Sequence, residues 1–365
     1  MFNRLNNLTS KSKRMSRKKP SESGQPKPLT QKSLAEHLKL SPSTISLVMN
    51  NAPRARLIPE ATRNRIIEAA REFNYRPDFY AKYLYTRRSY TVAILMPEIR
   101  EAYAANITAG IDEELDRRYY LYFTANHHGN TTAVDEYASR LIERAAEGFI
   151  FINTPVGKET SLPIVCISSQ PQPDNVGHVC LNNILGGRLA LEHLAQYGHR
   201  RIAVIKGHPW RAAAEQRWQG IQEAAQEHGV TLSRDLVAQL KSENRNTQLS
   251  APAEGYEDTK VLLARKKPFT AVIAFNDVTA IGAIHALREA GLRVPEDVAV
   301  IGFDDIEGAE YLSPSITTLR QPLATMGRLA AAHLLETIEK PGTEPCRIIV
   351  DPVLIPREST AVSRH

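Results

Sequence analysis

Two different periodicities divide this chain. Between Thr30 and Asn74 the apolar residues recur at helical spacing. Leu34, Ala35 and Leu38 fall at i, i+1 and i+4, which makes one apolar face of a short helix. Leu40 follows in a tight connector, with Ser41 as an N-cap candidate and Pro42 at the first helical position, where a missing N–H costs nothing. Ile45, Val48 and Met49 then form the buried face of a second short helix, leaving Pro42, Ser43, Thr44 and Ser46 outward. A third helix, from Pro59 to Asn74, turns Ala61, Ile66, Ala69, Ala70 and Phe73 towards the first two. It ends at Tyr75-Arg76-Pro77, because the residue before a proline is pushed out of the helical region. A short capped segment, Asp78 to Leu84, comes next.

From Tyr90 the pattern becomes strands alternating with helices. TVAILM (91–96), YLYFT (120–124), GFIFI (148–152), PIVCI (163–167) and HVCL (178–181) are short apolar runs, with helical stretches near 103–117 and 132–146. After a helix at 184–196 the cycle restarts with RIAVI (201–205), AVIAF (271–275) and VAVIGF (298–303), a weaker strand near 235–240, and helices at 211–228, 254–265 and 277–290. Continuous apolar strands joined by helical crossovers predict parallel sheets covered on both faces. Two such runs in tandem predict two similar lobes. The expected fold class is therefore α/β: a small all-α helix-turn-helix headpiece followed by a two-lobed body with parallel sheets.

Charge separates these parts further. Residues 1–28 carry eight Lys/Arg against Glu22 alone, a charge of +7, in a Ser-, Asn- and Pro-rich stretch without hydrophobic periodicity. They read as a disordered basic arm. The arm either adds salt-sensitive DNA affinity or precedes a true start at Met15. Residues 29–88 add +6, and since the chain totals +6, the rest sums to −7. A basic amino end on an acidic body places the electrostatic footprint for nucleic acid at that end. The three cysteines, Cys166, Cys180 and Cys346, are far apart and form no CxxC or Cys/His metal spacing, which suits a reducing cytosol. No apolar run approaches the length of a membrane span, so a cytoplasmic, nucleoid-associated protein without membrane contact is expected.

The second helix has the size and outer-face chemistry to enter a major groove, although an ordinary helical hairpin fits the same stretch. Residues 30–88 resemble the DNA-binding headpiece of the LacI/GalR family of bacterial transcriptional regulators. The resemblance is carried by T…LA…LSxSTISxVMN, PEATRNRIIEAAREFNYRP and AKYLYTRR. It implies a helix-turn-helix domain over 29–77, a hinge helix and linker over 78–88, and a periplasmic-binding-protein-like effector and dimerisation domain over 89–365. It further implies that Ser41, Pro42, Ser43, Thr44 and Ser46 open the recognition helix and that Thr30 and Asn50 contact phosphates. Ala81, Lys82 and Leu84 would lie in the minor groove, with Leu84 wedged into a base step. Three features depart from the family. Lys39 stands where glycine is usual and Leu47 where arginine is frequent. The connector Asn51–Leu57 is about three residues longer than usual and carries Arg54 and Arg56, either as phosphate contacts or as a solvated loop.

In the body, ligands of open α/β sheets bind beyond the carboxyl ends of strands. By resemblance, the chain crosses between the lobes near 183–187, 314–321 and 344–352. Tyr103, Ser168, Ser169, Arg211, Arg217, Asp277 and Gln321 then form the effector site. Arg217 in RWQG matches the family's effector-binding arginine. Asp277 in AFNDVTAIGA matches an acid that accepts hydrogen bonds, and it also suits helix capping. Trp210 is open between stacking on a sugar and standing as an exposed loop aromatic. Glu98 to Ala104, Ser168-Ser169, Asn182-Asn183 and Arg100 differ from the family pattern, which leaves the effector's identity open around a neutral or acidic sugar derivative. No GxSxG, GxxxxGK[ST], GxGxxG or HExxH occurs, so no enzyme, cofactor or metal is expected. Asp304-Asp305 reads as a backbone cap and His127-His128 as a polar loop. The resulting expectation is a homodimeric regulator, a repressor, on a near-palindromic double-stranded operator. The competing readings are a non-specific architectural DNA-binding protein and a small-molecule binding protein with a vestigial headpiece.

Overall fold

The computed structural model describes residues 30–50, 52–75, 83, 88–99, 102–157, 162–240 and 252–360. The basic arm, Ala81, Lys82 and Leu84 of the expected hinge, and Arg100 lie outside the described residues. The chain forms two compact units, Met1–Arg88 and Ser89–His365.

In the first unit, α1 (Gln31–Leu38) and α2 (Pro42–Met49) are joined by the turn that the apolar spacing predicts. Leu34, Ala35, Leu38, Ile45 and Val48 meet Ile66, Ala69 and Ala70 of α3 (Glu60–Glu72) in one small core. Lys39 takes the left-handed conformation, φ 55°, and so ends α1 where a glycine would do so without strain. Ala61 is exposed, contrary to expectation. It lies five residues before Ile66, about 140° round the helix at 3.6 residues per turn, and so falls off the 66/69/70 stripe. Tyr75, beyond the helix end, is buried in its stead. A 3₁₀ turn over Pro53–Leu57 occupies the long connector.

The second unit has two lobes. In the first, six parallel strands run in the order β11-β5-β4-β3-β1-β2: β1 (Thr91–Met96), β2 (Leu121–Asn126), β3 (Phe149–Ile152), β4 (Ile164–Ile167), β5 (Gly177–Leu181) and β11 (Arg347–Val350). Helices α4 (Ala102–Arg117) and α10 (Leu323–Glu339) cover one face, and α5 (Ala133–Ile142) covers the other. The second lobe has four parallel strands, β7-β6-β8-β9: β6 (Ile202–Lys206), β7 (Val237–Gln239), β8 (Ala271–Ala274) and β9 (Ala299–Ile301). Because side chains alternate along a strand, Ile202 and Val204 face α6 (Asn183–Gln196) and α7 (Ala212–Glu227). Ala203 and Ile205 face the layer of α8 (Pro252–Ala264) and α9 (Asp277–Glu289).

One strand departs from the expectation of full burial. β2 is an edge strand whose Leu121 and Phe123 stay exposed, at 74% and 42%. The lobes are joined at residue 182, at 321–322 and at 351–352, where β10 (Thr318–Arg320) pairs antiparallel with β12 (Val353–Ile355). Asn182 Nδ2 donates to Asp351 Oδ1 at 2.9 Å, tying two of these crossings together.

Helix pairs within each lobe approach to backbone contact. A Cβ at Gly220 of α7 would collide with Ile184 O of α6, and one at Gly187 of α6 with Arg217 O of α7. The same reciprocal arrangement joins α8 to α9 through Gly255 and Gly282, and α4 to α10 through Gly110 and Gly327.

Candidate functional site

The headpiece presents α2 much as a base-reading helix would be presented. Ser41 caps it, its Oγ accepting from Thr44 N at 3.1 Å, while Pro42 and Ser43 are exposed and Thr44 and Ser46 half-buried. The hydroxyls of Ser41, Ser43 and Thr44 lie within 2.9 Å of one another through Ser41. Thr30 Oγ1 caps α1 by accepting from Ser33 N, and Asn50 Nδ2 donates to Ser46 Oγ. Both residues expected at phosphates therefore also hold the ends of the two helices. Gln31 Nε2 donates to Pro42 O at 2.6 Å, fixing the start of α2 on the first turn of α1.

In the body, a cavity of about 330 Å³ opens between the lobes. Its walls are strand ends: Asn153 after β3, Ser168 to Gln170 after β4, Trp210 to Ala213 after β6, Phe275 and Asn276 after β8, and Asp304 to Ile306 after β9. Tyr103 from α4 and Gln321 from a crossing complete it. Of the seven residues expected in the site, Tyr103, Ser168, Ser169, Arg211, Arg217 and Gln321 are thus brought together.

Arg217 is the centre of the second-lobe wall. Its Nε donates to Asn183 Oδ1 at 3.0 Å and its Nη1 to Phe275 O at 2.7 Å. Its guanidinium carbon lies 3.4 Å from the ring centre of Phe303 and 4.8 Å from that of Phe275. Burial lowers its pKa to about 10, partly countered by the charge of Asp304, so it remains a cation at neutral pH.

Asp277 is the residue that does not join the cavity. It is fully buried one layer behind, where Oδ1 accepts from Thr318 Oγ1 at 2.6 Å and Oδ2 from Ile306 N at 2.9 Å. Burial, then the neighbouring Asp304, raise its pKa to about 7. It does not cap α9 either: Asn276 does, accepting from Thr279 N at 2.9 Å.

Two acids line the cavity instead, Asp304 and Asp305, both expected as a backbone cap. Asp304 accepts from Gln321 Nε2 at 2.5 Å, and burial raises its pKa against the pull of Arg217. Its φ of 111° and the φ of 58° at Asp305 are uncommon for side-chain-bearing residues, and such strain gathers at ligand sites. Asp305 is ion-paired, with Arg357 at 2.7 Å and Arg320 at 2.5 Å.

Polar contacts cross the cleft beside these charges. Gln216 Nε2 donates to Ser169 O at 3.3 Å, Asn183 Nδ2 to Ser169 Oγ at 3.0 Å, and Gln170 Nε2 to Trp210 O at 3.3 Å. Trp210 lies on the cavity wall with its ring stacked on His208, centroids 4.5 Å apart and planes 10° from parallel. His127 is buried against Thr154 Oγ1 at 3.1 Å, and no group of three potential metal ligands occurs among the described residues. No helix among them is long and apolar enough to cross a membrane.

A helix-turn-helix headpiece joined to a two-lobed body with a polar cleft defines the class of ligand-responsive DNA-binding regulators. Residues 32–78 match the model for bacterial regulatory proteins of the lacI family, and residues 191–360 match a periplasmic binding protein-like domain. The transcriptional repressor PurR of Aliivibrio salmonicida (strain LFI1238) is 30% identical over 338 residues, covering 90% of this chain and 98% of its own. This chain belongs to the lacI family of bacterial regulatory proteins. The ribose operon repressor of Haemophilus influenzae is 28% identical over 336 residues, 90% of this chain and 98% of that one. Among solved structures, the regulator CelR with cellobiose is 29% identical with a TM-score of 0.66, over 91% of this chain and 99% of that one. The lac repressor dimer bound to operator and an anti-inducer shares the fold at 23% identity, with a TM-score of 0.80 over 92% of this chain and 100% of its own.

Proposed function

We propose that this regulator is a repressor that binds a near-palindromic operator as a homodimer and is controlled by a small sugar-like effector held between the lobes. The observation that carries the reading is the cavity of about 330 Å³ with Arg217 and Arg211 on one wall and Asp304 with Gln321 on another. A buried cation and a half-buried carboxylate form a donor–acceptor pair suited to ring hydroxyls. Its volume lies at the small end of ligand pockets, which favours a monosaccharide-sized ring. The complexes of relatives with cellobiose and with ribose support the same class of ligand.

Control follows from linkage. An effector that prefers one lobe arrangement shifts DNA affinity by that preference and by no more. The body's first residues are held to the first lobe: Glu147 accepts from the backbone N–H groups of Ser89 and Tyr90, and Ser89 Oγ donates to Ala145 O at 2.5 Å. A movement of that lobe is therefore delivered to residue 89 without slack. Selection of bound duplexes from a random pool tests the reading. A palindromic motif whose binding changes at least tenfold with a sugar is expected, whereas binding without sequence preference would place the architectural reading first.

A further inference from the structure

The first-lobe sheet ends on β11, which has a neighbour, β5, on one side only. Its even-numbered residues turn their backbone to β5: Cys346 O accepts from His178 N and Val350 O from Asn182 N, each at 2.8 Å. Successive residues of a strand point their N–H and C=O groups to opposite sides, so Arg347, Ile349 and Asp351 turn theirs to the open edge. Pro352, which has no N–H to offer, falls on the β5 side and leaves that outward row unbroken. The side chains of the same three residues share one face. All three are exposed, Ile349 at 67%, whereas Ile348 and Val350 between them are half-buried against the lobe's core. Arg347 Nη2 reaches Pro173 O at 2.8 Å and Asp174 Oδ1 at 3.2 Å, which holds this cation at one end of the row as Asn182 holds Asp351 at the other. An edge guarded against pairing carries a bulge, an outward proline or an inward charge; the middle of this one is a bare isoleucine. A cation, an apolar centre and an anion at equal spacing make the row its own complement when turned end for end.

We propose that β11 is a self-association surface, on which a second copy of this chain pairs its own β11 antiparallel about a two-fold axis at Ile349. Ile349 then faces its counterpart and exchanges two backbone hydrogen bonds with it, and Arg347 of each copy stands opposite Asp351 of the other. The interface is isologous, the same patch serving both copies. In this register every outward N–H and C=O of the three residues finds a partner. Parallel pairing would instead set like charge beside like, and an antiparallel slip of one residue would part both ion pairs. The surface depends neither on how the headpieces meet DNA nor on what the cleft binds.

Sedimentation of the full-length chain without DNA, from low to high protein concentration, tests the proposal. The wild type is expected to double in mass in a concentration-dependent step. Arg347→Asp and Asp351→Arg each set like charges opposite one another at two places across the axis, and each is expected to weaken that step about tenfold. Mixed in equal amounts, the two variants carry matching edges and are expected to associate with each other as the wild type does with itself. Damage to the fold alone would lower the melting temperature of a variant and would not be reversed by mixing. The proposal is overturned by a wild type that shows no such step, by either variant associating as the wild type does, or by a mixture that fails to recover. An edge that serves a strand of a different protein would give the first of these results.

Discussion

Replacing Arg217 by alanine tests how the second-lobe wall is held together. The substitution strips donors from Phe275 O and Asn183 Oδ1 and removes the cation from the rings of Phe303 and Phe275. It also takes away a positive charge that pulls down the pKa of Asp304, half-buried on the cavity wall. Each of the two orphaned acceptors costs about 1–3 kcal/mol, and with the lost cation–ring contacts these overlapping losses set a cost of about 3–5 kcal/mol. Set against a typical stability of about 5–15 kcal/mol, that lowers the body's melting temperature by about 6–20 °C. The double variant with Asp304→Asn removes the stranded charge and is expected to recover about 1–3 kcal/mol relative to additivity. Urea unfolding of the four proteins, without ligand, measures the cycle. A loss below about 1 kcal/mol for Arg217→Ala, or strict additivity, would refute the coupling of these two charges. The same argument makes Arg217→Ala a poor probe of effector contact alone, and Gln321→Ala a cleaner one.

Three further outcomes are expected. Gly220→Ala places a methyl group against Ile184 O and should force α6 and α7 apart at a cost of about 1–3 kcal/mol, read as a lower melting temperature of the second lobe; an unchanged value would mean that the helices slide freely. Lys39→Gly should stabilise the headpiece by about 1 kcal/mol by relieving its left-handed backbone, and a destabilised headpiece would count against that strain. Asp277 has a folded-state pKa raised from 3.8 to about 7, so its contribution is fully present below the unfolded value and is lost as pH rises through the folded one. Asp277→Asn, which sets an amide N–H against the donors at Thr318 and Ile306, should be most destabilised near pH 4 and approach the wild type towards pH 7; a pH-independent difference between the two unfolding curves would sink this.

The helical stripes of the headpiece and the strand runs of the body were legible because each depends on neighbours within a few residues. Arg217, Gln321 and the serines after β4 were legible as strand-end or family-matched positions. The exchange of Asp277 for Asp304 was not. Both acids follow apolar strands, and only the reversed backbone at 304–305 turns Asp304 into the cavity, while Thr318 and the N–H of Ile306 draw Asp277 inward. Both determinants lie in tertiary contacts across some 30–40 residues. The exposed β2 was equally hidden: an edge strand and a central one share the same apolar spelling, and only sheet order tells them apart.

The order in which the chain emerges from the ribosome gives the split first lobe a further meaning. Its sheet is completed by β11 at residues 347–350 and its face by α10, both near the carboxyl end, whereas among the described residues the headpiece core spans residues 34–75. At about 5–20 residues per second, synthesis leaves roughly 14–55 s between the two. Each new molecule therefore has its DNA-reading helices complete well before the module that governs them can close.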